Sequence, residues 1–245
     1  MSNDETNPDQ LRRITAWDIE AANLSANFGV ILCVGFKDVG RGQAEVLSLQ
    51  HYGWPQNRDI FRAEKKLLKA VSARLQDSDC WLTHYGSDAR FDLPYMNTRL
   101  LYHNLPPLDR RFPQIDTWKI AKGGLKLSSN RLGAIQEFFG LKDAKNAIKP
   151  GLWIKALSGQ KAAMDYIEHH CKLDVLVLEE AYLKLRALVP DHPYVNGIGC
   201  RVCGSNRLQS RGYHRTRVRV YRRFQCQDCG AWNRATTPVR RATIT

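Results

Sequence analysis

The sequence predicts an α/β fold in which a mixed β-sheet is flanked by helices, followed by a small β-type module near the C-terminus. Three apolar or alternating segments, 13–17, 28–36 and 43–49, predict a meander of three antiparallel strands. Apolar residues then recur at helical spacing over residues 60–75. A sharp change in composition at Cys200 indicates where the second module begins.

The later elements follow from the same kinds of pattern. Asp59 is expected to cap the first helix, and the short apolar segment 80–83 predicts a buried strand. Helices are expected around 93–103 and 131–139, and one long final helix over 161–188. The expected domain boundaries are a disordered N-terminus at 1–10, a main domain at 11–190, a linker at 191–199, a second module at 200–235 and a disordered tail at 236–245.

The positive charge of the chain is concentrated at its C-terminal end. The 245 residues carry a net charge of +13, and the segment from Cys200 onward supplies +10 of it, with eleven arginines and Asp228 as its one acidic residue. Such asymmetry is typical of a protein that binds nucleic acid. The polar first ten residues lack a signal-peptide core, and no apolar run approaches the roughly 18 residues of a membrane span, so a soluble, cytoplasmic protein is expected.

Four acidic residues stand in apolar surroundings, namely Asp18, Glu20, Asp92 and Asp174. Carboxylates are almost never fully buried without a partner, so these four predict a common counter-ion. Asp18 and Glu20 are two residues apart and share one face of a strand. A hard cation such as Mg²⁺ prefers carboxylate oxygens, and two such ions about 3.5–4 Å apart would contact the attacking and leaving oxygens of a phosphodiester.

A histidine accompanies the last of these carboxylates. His170 and Asp174 interrupt an otherwise apolar face of the final helix. His169 lies about 100° away around the helix and is expected to be more exposed.

Three segments resemble the motifs of the DEDD superfamily of 3′–5′ exonucleases, which have an RNase H-like fold. They are WDIE at 17–20, THYGSDARFDLP at 83–94 and HCKLDV at 170–175. The final helix is similar to that of the proofreading-domain-like nucleases of family-B polymerase type, many of which are phage or prophage encoded. The resemblance covers roughly residues 13–188. It implies an RNase H-like mixed sheet and a nuclease acting in the cytoplasm of a bacterium or a phage-infected host cell.

The chain departs from the family pattern in two places. Four residues separate Gly86 from Phe91, where the family has two, so Asp88 competes with Asp92 as the second-motif ligand; the Phe-Asp-Leu-Pro context favours Asp92. Polymerase-type members place a Tyr four residues before the last Asp, which corresponds to His170. Histidine-type members place the His five before, which would select His169; the helical face favours His170.

The resemblance implies hydrolysis by a two-metal mechanism. In that mechanism Asp18, Glu20, Asp92 and Asp174 bind two Mg²⁺ or Mn²⁺ ions, which activate a water molecule and stabilise the leaving 3′ oxygen. His170 would accept the proton of that water, a role that suits a side chain whose ordinary pKa is about 6.5.

Four of the seven cysteines form two Cys-x-x-Cys pairs separated by 22 residues, namely Cys200, Cys203, Cys226 and Cys229. In a cytoplasmic protein this spacing predicts one structural zinc ion, because four thiolates leave no open coordination position. A glycine follows the second cysteine of each pair, as tight metal-binding turns require. The remaining cysteines, Cys33, Cys80 and Cys171, are interpreted as core thiols.

The segment between the cysteine pairs combines arginine with aromatic residues, a chemistry suited to phosphate contact and base stacking. A single strand would place Arg215, Arg217 and Arg219 on one face. The module resembles the zinc ribbons of transposases and phage nucleases. The expected nucleic acid contacts are Arg211, Tyr213, Arg215, Arg217, Arg219, Tyr221, Arg222 and Arg223.

Together these features predict a metal-dependent 3′–5′ exonuclease that acts on DNA, at single-stranded ends, with a zinc ribbon that holds the substrate. The alternatives are a structure-specific endonuclease on the same fold and a non-catalytic nucleic acid-binding protein. RNA is the alternative substrate, and the ribbon has a protein-binding role as its alternative. Protein partners in replication or recombination are left open.

Overall fold

A computed structural model describes residues 13–88, 90–142, 151–190, 192 and 199–241 of the chain. These residues divide into two units, Arg13–Leu183 and a second unit that begins at Lys184. The predicted disordered N-terminus and most of the predicted linker lie outside the described residues. No helix in the described part of the chain is long and apolar enough to cross a membrane.

The first unit is built on a five-stranded mixed sheet with the strand order β3-β2-β1-β4-β5. Strands β1 (Ile14–Ala21), β2 (Ile31–Asp38) and β3 (Glu45–Ser48) form the predicted antiparallel meander. Strand β4 (Cys80–Thr83), also predicted, pairs in parallel with β1, and β5 (Gln114–Asp116) pairs in parallel with β4. The sequence did not indicate β5, because three residues are too few to show an alternating pattern.

Helices connect and flank these strands. The first of them begins at a side-chain cap: the Asp59 carboxylate accepts a hydrogen bond of 2.9 Å from the Arg62 N–H, which confirms the predicted cap. The long final helix ends at Leu185, and Arg186–Leu188 continue it as a 3₁₀ turn. The helices are α1 (Ile60–Gln76), α2 (Asp92–Tyr102), α3 (Thr117–Gly124), α4 (Leu132–Phe139), α5 (Leu152–Leu157) and α6 (Lys161–Leu185).

Helix α6 packs closely against the middle of the sheet at Gly35. Gly35 pairs with Asp18 across β1 and β2. A Cβ atom at position 35 would lie 2.8 Å from the carbonyl oxygen of Cys171 on α6, so only glycine permits this approach. The Cys171 thiol itself lies 3.7 Å from the backbone oxygen of Asp18. The two residues that the sequence singled out on α6 are therefore held directly over β1.

A buried charged group connects α1, α2 and β2. Glu64 is fully buried, and its carboxylate accepts hydrogen bonds from the backbone N–H of Ile31 at 2.9 Å and from Arg99 Nε at 2.9 Å. The Nη2 atom of Arg99 and the Nε2 atom of His103 lie 2.5 Å and 2.7 Å from Glu64 Oε2. The apolar spacing of α1 did not predict this group, because its partners come from two other elements.

The second unit contains an antiparallel sheet made of β6 (Leu208–Arg215), β7 (Arg219–Cys226), β8 (Trp232–Arg234) and β9 (Arg240–Arg241). Strand β7 is central and pairs with each of the other three. The predicted start of a disordered tail at residue 236 is wrong, because β9 belongs to the sheet. Residues 242–245 lie outside the described chain.

The expectation that Arg215, Arg217 and Arg219 lie on one face of a single strand is also wrong. Strand β6 ends at Arg215, β7 begins at Arg219, and the residues between them form the tip of a hairpin. The N–H of Thr216 donates to the carbonyl of Arg219 at 2.9 Å and closes this turn. All three arginines, the arginine cluster, are exposed and lie in or beside the hairpin tip.

Replacing the buried carboxylate by an amide should destabilise the first unit strongly. In Glu64→Gln the buried guanidinium of Arg99 loses its counter-charge, and we expect a loss of about 3–5 kcal/mol in the free energy of unfolding. Glu45→Gln is the matched control, because Glu45 pairs with Arg74 at a half-exposed position and should cost about 0–1 kcal/mol. Urea unfolding followed by circular dichroism measures both variants. Equal unfolding midpoints for Glu64→Gln and Glu45→Gln would contradict a stabilising role for the buried Glu64 carboxylate.

Candidate functional site

Three polar side chains converge where α6 lies over β1. One oxygen or nitrogen each of Glu20, His170 and Asp174 lie within 4.8 Å of one another. His170 Nε2 is 3.8 Å from Glu20 Oε1 and 3.5 Å from Asp174 Oδ2. His170 and Asp174 are 6 % and 3 % exposed, so the group is nearly removed from water. The strand supplies the first residue, and one turn of the helix supplies the other two.

The two adjacent histidines have different environments. His170 is buried in this group, whereas His169 is exposed on the outer side of α6. The structure therefore places His170, and not His169, beside the carboxylates, as the helical face predicted.

Asp92 lies in the first turn of α2 and is 3 % exposed. Burial raises the pKa of Asp92 well above its ordinary value, and the neighbouring carboxylates of Asp18 and Asp116 raise it further. Backbone hydrogen bonds at Ile19 and at Asp92 itself act in the opposite direction. Asp92 also packs against Gly86, where any Cβ atom would collide with its carboxylate. This close approach requires glycine at position 86.

The competing second-motif residue, Asp88, has a different position. Its side chain is 55 % exposed and forms an ion pair with Lys119. Its backbone is in the left-handed region, with φ at 51°. Asp88 is thus part of an exposed turn, whereas Asp92 is buried near Asp18.

Asp116, which the sequence did not indicate as a site residue, organises the loop that precedes α2. Its carboxylate accepts hydrogen bonds from the backbone N–H of Tyr85 at 2.9 Å and from the Ser87 hydroxyl at 2.8 Å. It also caps α3 by accepting from the Trp118 N–H at 3.0 Å. An Asp before a helical segment is a recognisable capping signal, but its partners in the 85–87 loop are set by the fold.

The predicted acidic residues therefore form two neighbouring groups. Glu20 lies with Asp174, Asp18 lies with Asp92, and the two-residue step along β1 joins the groups. Buried like charges are unfavourable unless a cation compensates them, and carboxylate oxygens are the donors that hard divalent cations prefer. The donor set thus fits divalent cations at this place in the fold.

A cleft of about 1050 Å³ opens beside these carboxylates. Asp18 lies in its wall, and the other lining residues come from the loop after β4, from α3, from α4 and from the segment just before α4. They are His84, Tyr85, Trp118, Ser129, Arg131, Leu132, Gly133, Ala134 and Glu137.

The four cysteines of the second unit form a separate cluster. Their sulfur atoms all lie within 4.8 Å of one another. The Cys200 and Cys229 sulfurs are 3.6 Å apart, and those of Cys203 and Cys226 are 3.7 Å apart. Both distances are close to about 3.8 Å, the edge of a tetrahedron with Zn–S bonds of about 2.3 Å. The cluster fits one tetrahedral metal ion.

The four thiols differ in acidity, and tight turns position them. Burial raises the pKa of Cys226, but hydrogen bonds from the backbone N–H groups of Cys229 and Asp228, together with those of the Cys203 and Cys229 thiols, bring that pKa down to about 7. Burial raises the pKa of Cys203 and of Cys229. Gly204 and Gly230, each after the second cysteine of a pair, have φ of 75° and 74°, as the predicted turns require.

One face of the second sheet carries alternating arginine and aromatic side chains. The Arg234 guanidinium lies 4.5 Å from the centre of the Tyr221 ring, and that of Arg223 lies 4.5 Å from the centre of the Trp232 ring. The sequence pattern did not indicate Trp232 and Arg234, because they follow the second cysteine pair and join this face only through the pairing of β8 with β7.

Comparison with known families assigns the first unit. The family described as the RNase H superfamily matches residues 16–186, which include the whole mixed sheet from β2 to β5 and nearly all of β1. No curated protein matches the chain. RNase H-like domains are generally nucleases that act on nucleic acid and use divalent metals. Since the match spans well over half of the chain and agrees with the observed sheet, the protein belongs to the RNase H superfamily.

Proposed function

We propose that this protein is a 3′–5′ exonuclease that hydrolyses phosphodiester bonds of DNA at single-stranded ends. The observation that carries the proposal is the convergence of Glu20, His170 and Asp174, buried beside Asp18 and Asp92. The order of the three sequence motifs, with the second at the start of α2 and the third on α6, supports the exonuclease type. The net positive charge of the chain supports a nucleic acid substrate.

In this proposal Asp18, Glu20, Asp92 and Asp174 would hold two Mg²⁺ or Mn²⁺ ions. Bound divalent cations supply the Lewis acidity that activates water and stabilises a leaving 3′ oxygen. His170 accepts the proton of the attacking water. Its Nε2 atom lies 3.8 Å from Glu20 Oε1 and 3.5 Å from Asp174 Oδ2, so the ring stands beside the carboxylates that would hold the metal ions.

The second unit would be a zinc ribbon that binds the nucleic acid. A single Zn²⁺ held by the four cysteines would stabilise a module whose buried apolar core is small, with Val202 and Ala231 beside the cysteines. The arginine cluster at the hairpin tip and the aromatic face of the sheet provide phosphate contacts and stacking surfaces.

The deciding assay compares linear and circular DNA. The protein is incubated with Mg²⁺ and either 3′- or 5′-labelled single strands or closed circular single strands. Stepwise shortening from the 3′ end of linear strands, with circles left intact, is the expected result. Cleavage of circles would contradict the exonuclease proposal and favour a structure-specific endonuclease on the same fold.

Asp18→Asn should abolish cleavage and leave the fold intact, because the amide keeps the shape of the side chain and removes a metal-binding charge. Asp88→Asn is the matched control, since Asp88 is exposed and paired with Lys119 outside the carboxylate groups. Cleavage rates in Mg²⁺ and in Mn²⁺ are measured for both variants. Near-normal turnover by Asp18→Asn would contradict the two-metal assignment.

His170→Ala should lower the single-turnover cleavage rate by roughly 10²–10⁴-fold, the usual contribution of a general base. His169→Ala should cost far less, because His169 is exposed and outside the site. Single-turnover rates at several pH values test both variants. A larger loss in His169→Ala than in His170→Ala would reject the general base proposed here.

Replacing Arg215, Arg217 and Arg219 together by alanine should weaken DNA binding and flatten its salt dependence. We expect about one unit of log–log slope for each lost phosphate contact. Affinity titrations at several salt concentrations measure the effect, with the core strands of the ribbon checked by circular dichroism. Unchanged affinity and slope would favour a protein-binding role for the ribbon.

A further inference from the structure

The loop between Gly86 and Phe91 is two residues longer than the family pattern, and it brings an arginine against two aromatic rings that line the cleft. Backbone hydrogen bonds fold the loop back on itself: the Phe91 N–H donates to the Tyr85 carbonyl at 3.1 Å, and the Arg90 N–H donates to the Ser87 carbonyl at 3.0 Å. Arg90 therefore lies next to Tyr85, although five positions separate them in sequence.

Two aromatic rings hold the Arg90 guanidinium. It lies 4.4 Å from the centre of the Trp118 ring and 5.1 Å from the centre of the Tyr85 ring. The two rings meet edge to face at 5.0 Å, so the guanidinium sits in the angle between them. Within the described part of the chain, no carboxylate lies within ion-pair distance of this group. Its N–H donors are thus positioned by ring contacts and not by a salt bridge.

This arrangement borders the candidate active site. Tyr85 and Trp118 line the same cleft as Asp18, and Arg131 lines it from the start of α4. The Lys122 ammonium, on the same helix as Trp118, lies 4.7 Å from the centre of the Trp118 ring and adds a second positive charge there. A polyanionic strand that reaches the carboxylates through this cleft therefore passes a fixed positive group. The Asp116 carboxylate holds the backbone that carries the two rings, since it accepts hydrogen bonds from the backbone N–H groups of both Tyr85 and Trp118.

We propose that Arg90, held between Tyr85 and Trp118, binds a backbone phosphate of the nucleic acid strand that enters the cleft. The inference rests on the proposed nuclease function and identifies a substrate-positioning residue for it. A planar guanidinium suits the task, because it can stack on aromatic rings and still present paired N–H donors to phosphate oxygens. Stacking also restricts a flexible side chain in advance, so less conformational entropy is lost on binding.

Binding of a fluorescein-labelled single-stranded DNA, measured by anisotropy at several salt concentrations, tests this inference. All variants are made in full-length Asp18→Asn protein, so that cleavage does not disturb the titration. Arg90→Ala should weaken binding by about tenfold and reduce the log–log salt slope by about 0.7–1 unit. Arg110→Ala is the matched control, because it removes the same charge from an exposed position before β5, at the strand end opposite Asp116.

Two further variants separate a held guanidinium from a simple positive charge. Arg90→Lys should keep the salt slope and recover only part of the affinity. An ammonium has no planar face to stack on a ring and no parallel pair of N–H donors for two phosphate oxygens. Trp118→Phe should bind nearly as well as the parent, whereas Trp118→Leu should bind more weakly. An effect of Arg90→Ala no larger than that of Arg110→Ala would overturn the inference. Full affinity in both Arg90→Lys and Trp118→Leu would also overturn it.

The binding result can be read separately from the nuclease proposal. If the protein with Asp18 intact failed to cleave DNA but Arg90→Ala still weakened binding in this pattern, the nuclease proposal would fail and the phosphate-binding assignment would stand. If the protein cleaved DNA but Arg90→Ala bound DNA normally, the nuclease proposal would stand and the phosphate-binding assignment would fail. Because Arg90 is exposed, its replacement should leave the unfolding midpoint of the parent unchanged, and this is checked for each variant.

Discussion

The close contact between helix α6 and the sheet at Gly35 is the constraint on which the candidate site depends. With no side chain at position 35, the helix backbone at Cys171 can approach β2 directly. The same contact sets the height of α6 over β1 and so the separation of His170 from Glu20. A larger residue would push the helix outward and separate the polar group, even though none of its members would have changed.

The buried carboxylates carry an electrostatic cost that the fold accepts. Asp92 lies out of water near two other carboxylates, which opposes its ionisation. Asp116 meets four hydrogen-bond donors from the surrounding loop and the start of α3, and it thereby fixes the backbone on which the cleft is built. A cost of this kind is typical of sites that bind a cation. The negative charges that bind the cation repel one another when no cation is bound.

The second unit solves a different problem. It has few apolar residues to bury, and its central strand is flanked by arginines that repel one another. A metal ion bound by four thiolates would supply the stability that this small core lacks, and it would do so without occupying the arginine and aromatic face. Stability and ligand binding would then reside on different side chains of one small sheet.

The local sequence pattern determined the strands of the meander, the buried strand β4, the capped helix α1 and the four-cysteine cluster, because each depends on neighbouring residues and their spacing. It also separated His170 from His169, since helical periodicity alone assigns them to different faces. Only the tertiary structure decided the contacts of Asp116, Glu64 and Arg90, whose partners lie on other elements. It likewise placed Arg215 and Arg219 on two strands instead of one. The sequence did not indicate the turn, because arginines alternate with other residues both in the strands and across the turn.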